Sequence, residues 1–441
     1  MLLPLHGLGG ADDLPIPASY AIAGGTSALS ISFAILLLAW RTPRFGDPNF
    51  GHPAPAALAK LVDSPGLTIL LRAVGLVAFG YVAVVAIIGP DLVINPVFGI
   101  VYVWLWVGIV PASLLFGSFY KAINPMRTVH ALVARLSRSD REHGLFTYPA
   151  RLGYWPAALG LFAFVWLELV HPESTYLDPV RLWFGLYLAI MFIGSAAFGS
   201  TWFARADPFE VFSTLVGHLS LWGRRHDGTL VTRNPLANLA QLQGRPGLAA
   251  VVAVLLGSTA YDSFRGANFW LKLTQDTTLN VTLLSTFALF GAILVVGATF
   301  AASTMATGVD RATAPRRSLP GAFAHSIVPI IVGYVVAHYL TYFVEQGQQT
   351  LIQMSDPLAN GSNILGTANW SINYWLSTHP TFLASTKVLA IVTGHIFGVI
   401  AAHDQALRVL PRKHQVTGQL PLLFAMVLYT FSGLYLLFGI S

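Results

Sequence analysis

Four histidines stand in strongly apolar surroundings in the last third of the chain: His325 in Ala324-His-Ser-Ile-Val-Pro, His338 in Val336-Ala-His-Tyr, His395 in Thr393-Gly-His-Ile-Phe-Gly and His403 in Ala402-His-Asp404. An ionisable group in hydrocarbon costs several kcal/mol unless it is paired or solvated, so such residues mark a function or a specific contact between helices. Imidazole and carboxylate together suit a divalent metal such as zinc, copper or iron. A hydroxide made on that metal near neutral pH would serve hydrolysis. His338, His395, His325, His403, Asp404 and His171 are the candidate ligands, and Asp262 and Glu168 are the candidate catalytic carboxylates, with Glu345 beside them. Three other uses of the same residues compete. The histidines would hold a haem iron from two helices, line a path for protons or a small solute, or donate to carbonyls and Tyr side chains and so glue helices together. A two-haem pattern needs matching His separations on two helices, whereas here they are 13 (His325 to His338) and 8 (His395 to His403).

At about 1.5 Å rise per residue, His325 and His403 fall at one depth near the inner ends of their segments, with His338 and His395 in the outer half. Gly394 and Gly398 make a small-xxx-small step beside His395 that lets another helix approach closely.

The elements that position these residues are membrane helices. About ten apolar segments are long enough to cross a hydrocarbon core roughly 30 Å thick: 20–40, 68–89, 95–117, 153–170, 178–199, 246–264, 280–304, 321–343, 386–408 and 418–440. With 55% hydrophobic and 10% charged residues the chain has the composition of a membrane protein. Its net charge of +6 gathers in alternate short connections, Arg41 to Lys60, Lys121 to Arg151, Arg205 to Arg245, Arg311 to Arg317 and Arg408 to Lys413. That is the positive-inside pattern rather than a nucleic-acid surface, and it predicts both termini outside. Cysteine is absent, so disulfides, thiolate metal sites and a Cys nucleophile are excluded. The expected class is an all-α polytopic protein forming a single transmembrane domain over 1–441.

One repeat organises its first half. Phe116-Gly-Ser followed by Asn124-Pro-Met-Arg-Thr-Val-His recurs as Phe198-Gly-Ser followed by Asp207-Pro-Phe-Glu-Val-Phe. Asn124 and Asp207 are N-cap residues, and Pro125 and Pro208 suit the first helical position. Each copy predicts a short amphipathic helix lying on the cytoplasmic leaflet. The repeated hairpin unit covers 19–245, and the His-bearing helices occupy 246–441 with a long outer connection at 345–385, rich in Gln, Asn and Trp, that folds over a site or caps the bilayer. Near the start, His6-Gly-Leu-Gly-Gly lacks the strand and helix of a dinucleotide loop. Cleavage of a leader just before His6 would expose an amine and imidazole able to chelate copper.

Several of these segments carry a family resemblance. His6-Gly-Leu-Gly-Gly-Ala-Asp-Asp-Leu-Pro-Ile-Pro, Asp207-Pro-Phe-Glu-Val-Phe, His325-Ser-Ile-Val-Pro with Ala337-His-Tyr, Ser355-Asp-Pro-Leu with Leu365-Gly-Thr-Ala, and Gly394-His through His403-Asp resemble the actinobacterial multi-pass membrane proteins known as fenitrothion hydrolases, over nearly the whole chain. The resemblance implies a hydrolase of the bacterial plasma membrane, or a subunit of one with partner subunits, acting on a neutral, lipophilic organophosphorus ester that enters from the bilayer. The residues themselves leave two alternatives: a permease or accessory subunit handling a small solute or metal ion, and a haem-binding membrane subunit.

Overall fold

A computed structural model describes residues 10–307, 315–411, 414–415 and 417–439. His6 and its glycines lie outside the described residues. Among the described residues the chain is all-α with one small antiparallel sheet, and eight of the described helices are long and apolar enough to cross a membrane. The segment expected at 95–117 is a pair of helices, Pro96–Val107 and Ile109–Phe116, bent by 42° at Gly108. The segment expected at 153–170 is a 15-residue apolar helix, Trp155–Leu169.

The described residues form two compact units. The first comprises 1–47, 239–342 and 374–441, and the second 48–238 and 343–373.

In the first unit, α1 (Ala18–Ala39) packs against the C-terminal helices, and a buried core of Ile22, Tyr334, Ala337, Ala384, Ile391, Leu434 and Phe438 joins them. The elements used below are α11 (Leu248–Arg265), α13 (Val281–Met305), α14 (Val328–Thr341), α16 (Pro380–Val409) and α17 (Leu420–Phe438). Helices α14 and α16 approach as closely as the glycine spacing predicts. A Cβ on Gly394 would stand 2.5 Å from the Pro329 carbonyl oxygen, and one on Gly333 would stand 2.4 Å from that of Ala390.

In the second unit the repeat becomes two matching turns of chain. The first runs through α2 (Pro65–Ile88), α3 (Pro96–Val107), α4 (Ile109–Phe116), α5 (Phe119–Ile123) and α6 (Pro125–Leu136). The second runs through α7 (Trp155–Leu169), α8 (Leu177–Phe198), α9 (Ser200–Ala206) and α10 (Pro208–Gly217). Gly117 and Gly199 occupy equivalent places, with φ/ψ of 80/−145° and 63/−154°. That region is open essentially to glycine alone, and it reverses the chain so that α5 and α9 run back alongside the helices they follow. Gly75 meets the Ile123 carbonyl, and Gly194 meets the Trp202 ring. Gly75 is ten residues into α2, about 15 Å along its axis, so Asn124 and Asp207 are carried deep into the unit before α6 and α10 turn outward again.

For α10 this corrects the expectation of a surface helix, whereas α6 keeps an exposed apolar face. Every residue of α10 from Pro208 to Gly217 except Thr214 is buried, and Phe209 and Phe212 pack edge-on or tilted against Phe164 and Trp106 at 5.2 Å. Burying each Phe contributes about 1.5–3 kcal/mol. In α6 Met126, Thr128 and Ala134 are buried, while Leu132, Val133 and Leu136 stay exposed. The sheet, with His52–Pro53, Leu230–Thr232 and Trp222–Arg224 in that spatial order, closes the second unit.

Candidate functional site

Two of the expected site residues, Asp262 and His338, meet. Asp262 lies on the last turn of α11 and His338 near the end of α14, and His338 Nε2 stands 2.9 Å from Asp262 Oδ2 with both side chains buried. The same carboxylate accepts from the Tyr339 hydroxyl at 2.7 Å, and its other oxygen accepts from Arg265 Nε at 2.7 Å. As an acceptor-only carboxylate, Asp262 holds the proton of His338 on Nε2. That leaves the Nδ1 lone pair facing a third residue, Ser263, whose Oγ is 3.2 Å away. The Ser263 hydroxyl also lies 3.1 Å from the Tyr334 hydroxyl. Asp262 and Ser263 are consecutive on α11, while Tyr334 and His338 are four apart on one face of α14, so two rigid helices fix the whole arrangement.

Ser, His and Asp in this order, with the base oriented by the carboxylate and its free nitrogen aimed at a hydroxyl, form the constellation that activates a serine nucleophile. Ser263, Tyr334, Tyr339 and Arg265 escaped the sequence reading. Ser in an apolar helix usually bonds to its own backbone, so only the neighbouring Asp262 offered a hint.

His395 is placed apart from that group. Its Nδ1 donates to the Ile391 carbonyl at 2.9 Å, so its Nε2 carries a lone pair, and among the described residues that atom is buried without a hydrogen-bond partner. Beside it is an apolar crevice of about 40 Å³ that also touches Leu256, Ala260, Tyr334, Tyr429 and Leu436. Ala260 and Tyr334 connect the crevice to Ser263, one helical turn further along α11.

The remaining candidates have other employment. His325 Nδ1 donates to the Ala322 carbonyl at 3.0 Å. His403 places Nε2 2.9 Å from the Trp40 carbonyl and Nδ1 2.9 Å from Gln419 Oε1, and Asp404 accepts from the Arg44 amide at 2.6 Å and from Arg408. Together His403 and Asp404 clamp the chain that follows α1. Glu168, His171 and Glu345 belong to the second unit, where His171 Nδ1 accepts from the Glu173 amide at 3.1 Å.

Among the described residues no group of three His, Asp or Glu side chains could hold a metal ion. The expected ligand set of His338, His395 and outer carboxylates therefore does not assemble, because both ring nitrogens of His338 are already engaged and His395 faces the crevice. The crevice at His395 is far below the roughly 300–1,000 Å³ of a typical small-molecule pocket.

In the second unit the repeat tips form a closed polar network. Asn124 Oδ1 caps the amides of Met126 and Arg127 at 3.0 and 3.2 Å, and Asp207 Oδ1 caps those of Phe209 and Glu210 at the same two distances. Asn124 Nδ2 donates to Asp207 Oδ2 at 2.8 Å and to Glu210 Oε2 at 3.0 Å, and the Tyr187 hydroxyl donates to Asp207 Oδ2 at 3.0 Å. Arg127 and Glu210, equivalent in the repeat, form a bidentate pair with both bonds at 2.6 Å. Every donor here has its acceptor, so the network locks two helix starts together. Compared with known proteins, the chain matches no family model, no curated protein and no solved structure.

Proposed function

We propose that this protein is a multi-pass membrane hydrolase that cleaves a small, neutral, lipophilic ester with Ser263 as nucleophile, His338 as general base and Asp262 as the residue that orients it. The alignment of Ser263 Oγ, His338 Nδ1 and Asp262 Oδ2 carries the reading. Ser263 Oγ attacks the phosphorus or carbonyl centre as its proton passes to His338 Nδ1. The imidazolium then protonates the departing alkoxide or phenoxide. Water, deprotonated by the same nitrogen, releases the second product and restores the serine. Tyr334, 3.1 Å from Ser263 Oγ, is placed to donate to the charge that develops on the substrate. The crevice beside Ala260 and Tyr334 would take an apolar substituent. An organophosphorus ester, the substrate class implied by the resemblance to fenitrothion hydrolases, has the required lipophilicity, and a serine replaces the expected metal hydroxide.

The test is labelling of native membranes with an alkyl fluorophosphonate. The expected result is one adduct on Ser263 that Ser263→Ala abolishes. His338→Ala should slow turnover of a nitrophenyl ester by about 10²–10⁴-fold, the usual contribution of a general base. An unlabelled wild-type protein, or equal labelling of the Ser263→Ala variant, would overturn the reading.

A further inference from the structure

Two adjoining cavities in the second unit have complementary chemistry. One, of about 370 Å³, is lined by Arg72, Lys121, Arg127, His130, Arg141 and Arg205, with Glu142 as the carboxylate among its lining residues. The other, of about 590 Å³, runs beside Ile69, Ala73 and Leu76 of α2 and Ala131 and Leu132 of α6, and Arg135 and the Asp140 carboxylate also line it. Arg72, Ala131 and Arg141 line both. Two of the guanidinium groups are offset locally, Arg127 by Glu210 and Arg141 by Glu142. Arg205 lies over the Tyr154 ring and donates to its hydroxyl, which leaves its charge uncompensated.

Arg72 is the decisive residue. It is the sole charged side chain of α2, seven residues from that helix's start and thus about 10 Å along an otherwise apolar axis. Among the described residues neither Arg72 nor Lys121 has a hydrogen bond or ion pair. A guanidinium held in an apolar helix calls for an anion. The neighbouring stripe Ile69, Ala73 and Leu76, at i, i+4 and i+7, offers a hydrocarbon surface that a soluble anion would not use. Basic pockets between membrane helices on the cytoplasmic side take lipid headgroups.

We propose that this pair of cavities binds one anionic phospholipid, its phosphate between Arg72, Lys121 and Arg205 and one acyl chain along the groove between α2 and α6. Glu142, whose carboxyl is held below the usual range first by the Ser200 hydroxyl and then by Arg141 and Arg127, stays charged and sets an upper limit on affinity.

The full-length protein, stripped of lipid in an uncharged detergent, is titrated with phosphatidylglycerol, phosphatidylcholine and sodium phosphate and read by native mass spectrometry. Phosphatidylglycerol should bind one per chain and at least tenfold tighter than phosphatidylcholine. Arg72→Gln should weaken it about tenfold, and Glu142→Gln should strengthen it severalfold. Ala73→Trp, which fills the groove and leaves the charges in place, should also weaken it. Equal binding of the two lipids, or retention of affinity in both Arg72→Gln and Ala73→Trp, would overturn the proposal. Displacement of phosphatidylglycerol by sodium phosphate at comparable concentration would overturn it in favour of a free-anion site.

Discussion

Arg127 and Glu210 stand at the fourth position of two copies of one motif, yet one is a cation and the other an anion, and they pair across the copies with the Glu210 side chain only 1% exposed. The bond matters more when broken than when made, because a lone charge left in that place has no water to turn to. Glu210→Gln should destabilise the protein by about 3 kcal/mol, toward the low end of the 3–5 kcal/mol range for a broken buried pair, since Arg127 is 19% exposed. Thermal unfolding in detergent checks this, and Arg127→Gln in the same background should recover part of the loss. Individual residues were legible in the sequence where their type was out of place: Asp262 and His338 were conspicuous in apolar helices, and they meet. Ser263 was not, because a hydroxyl in a membrane helix is ordinary and its role depends on a residue 75 positions away. Arg72 was hidden by its own isolation, since a pattern built on clusters of Lys and Arg in the connections passes over one cation inside a span.

Helices α6 and α10 show what periodicity can and cannot report. The duplicated Phe-Gly-Ser and the Asn-Pro or Asp-Pro caps mark where the short helices start, and they start there. The burial of α10 was illegible. In α10 the apolar stripe of Phe209, Phe212, Leu215 and Val216 would suit a leaflet surface equally well. The other face, with Glu210 and Ser213, is buried only because Arg127 and Ser113 wait for it at 2.6 and 2.8 Å. Hydropathy cannot see partners on other helices. The two reversing glycines offer a matched test. A Cβ on Gly117 has only Ser220 Oγ near it, at 3.7 Å, so Gly117→Ala should cost the backbone strain alone, about 1–3 kcal/mol. A Cβ on Gly199 would stand 2.4 Å from the Glu142 carbonyl oxygen, so Gly199→Ala should lower the melting temperature further than its twin. Equal shifts in the two variants would show that the Glu142 segment yields freely.

For the whole molecule, the division into two units follows the chemistry: the Ser263, His338 and Asp262 group lies in one, and the repeat with its basic and apolar cavities lies in the other. The repeat unit read from the sequence covers 19–245, whereas the second unit covers 48–238 and 343–373, so α1 falls with the His-bearing helices. The sequence also hid that the connection after Tyr342 returns to the second unit, since no local signal distinguishes 343–373 from its neighbours. If the interlocked tips hold the second unit together, a chain divided within the exposed stretch 137–139 should reassemble. Co-expressed fragments ending and beginning there should copurify, and Asp207→Ala should lower the temperature at which the pair comes apart, α1 and the His52–Pro53 strand still tying the N-terminal fragment to the C-terminal one; an unchanged dissociation temperature in Asp207→Ala would count against the lock.

The same interlock has a consequence for biosynthesis. Asn124 leaves the ribosome 83 residues ahead of Asp207, a delay of roughly 4–17 s at about 5–20 residues per second. During that interval the first tip is already made, its amide has no mate, and its Pro-capped helix start faces lipid or the insertion machinery. The first half of this protein is therefore born waiting, and the surveillance systems of the membrane have several seconds in which to judge it unfinished.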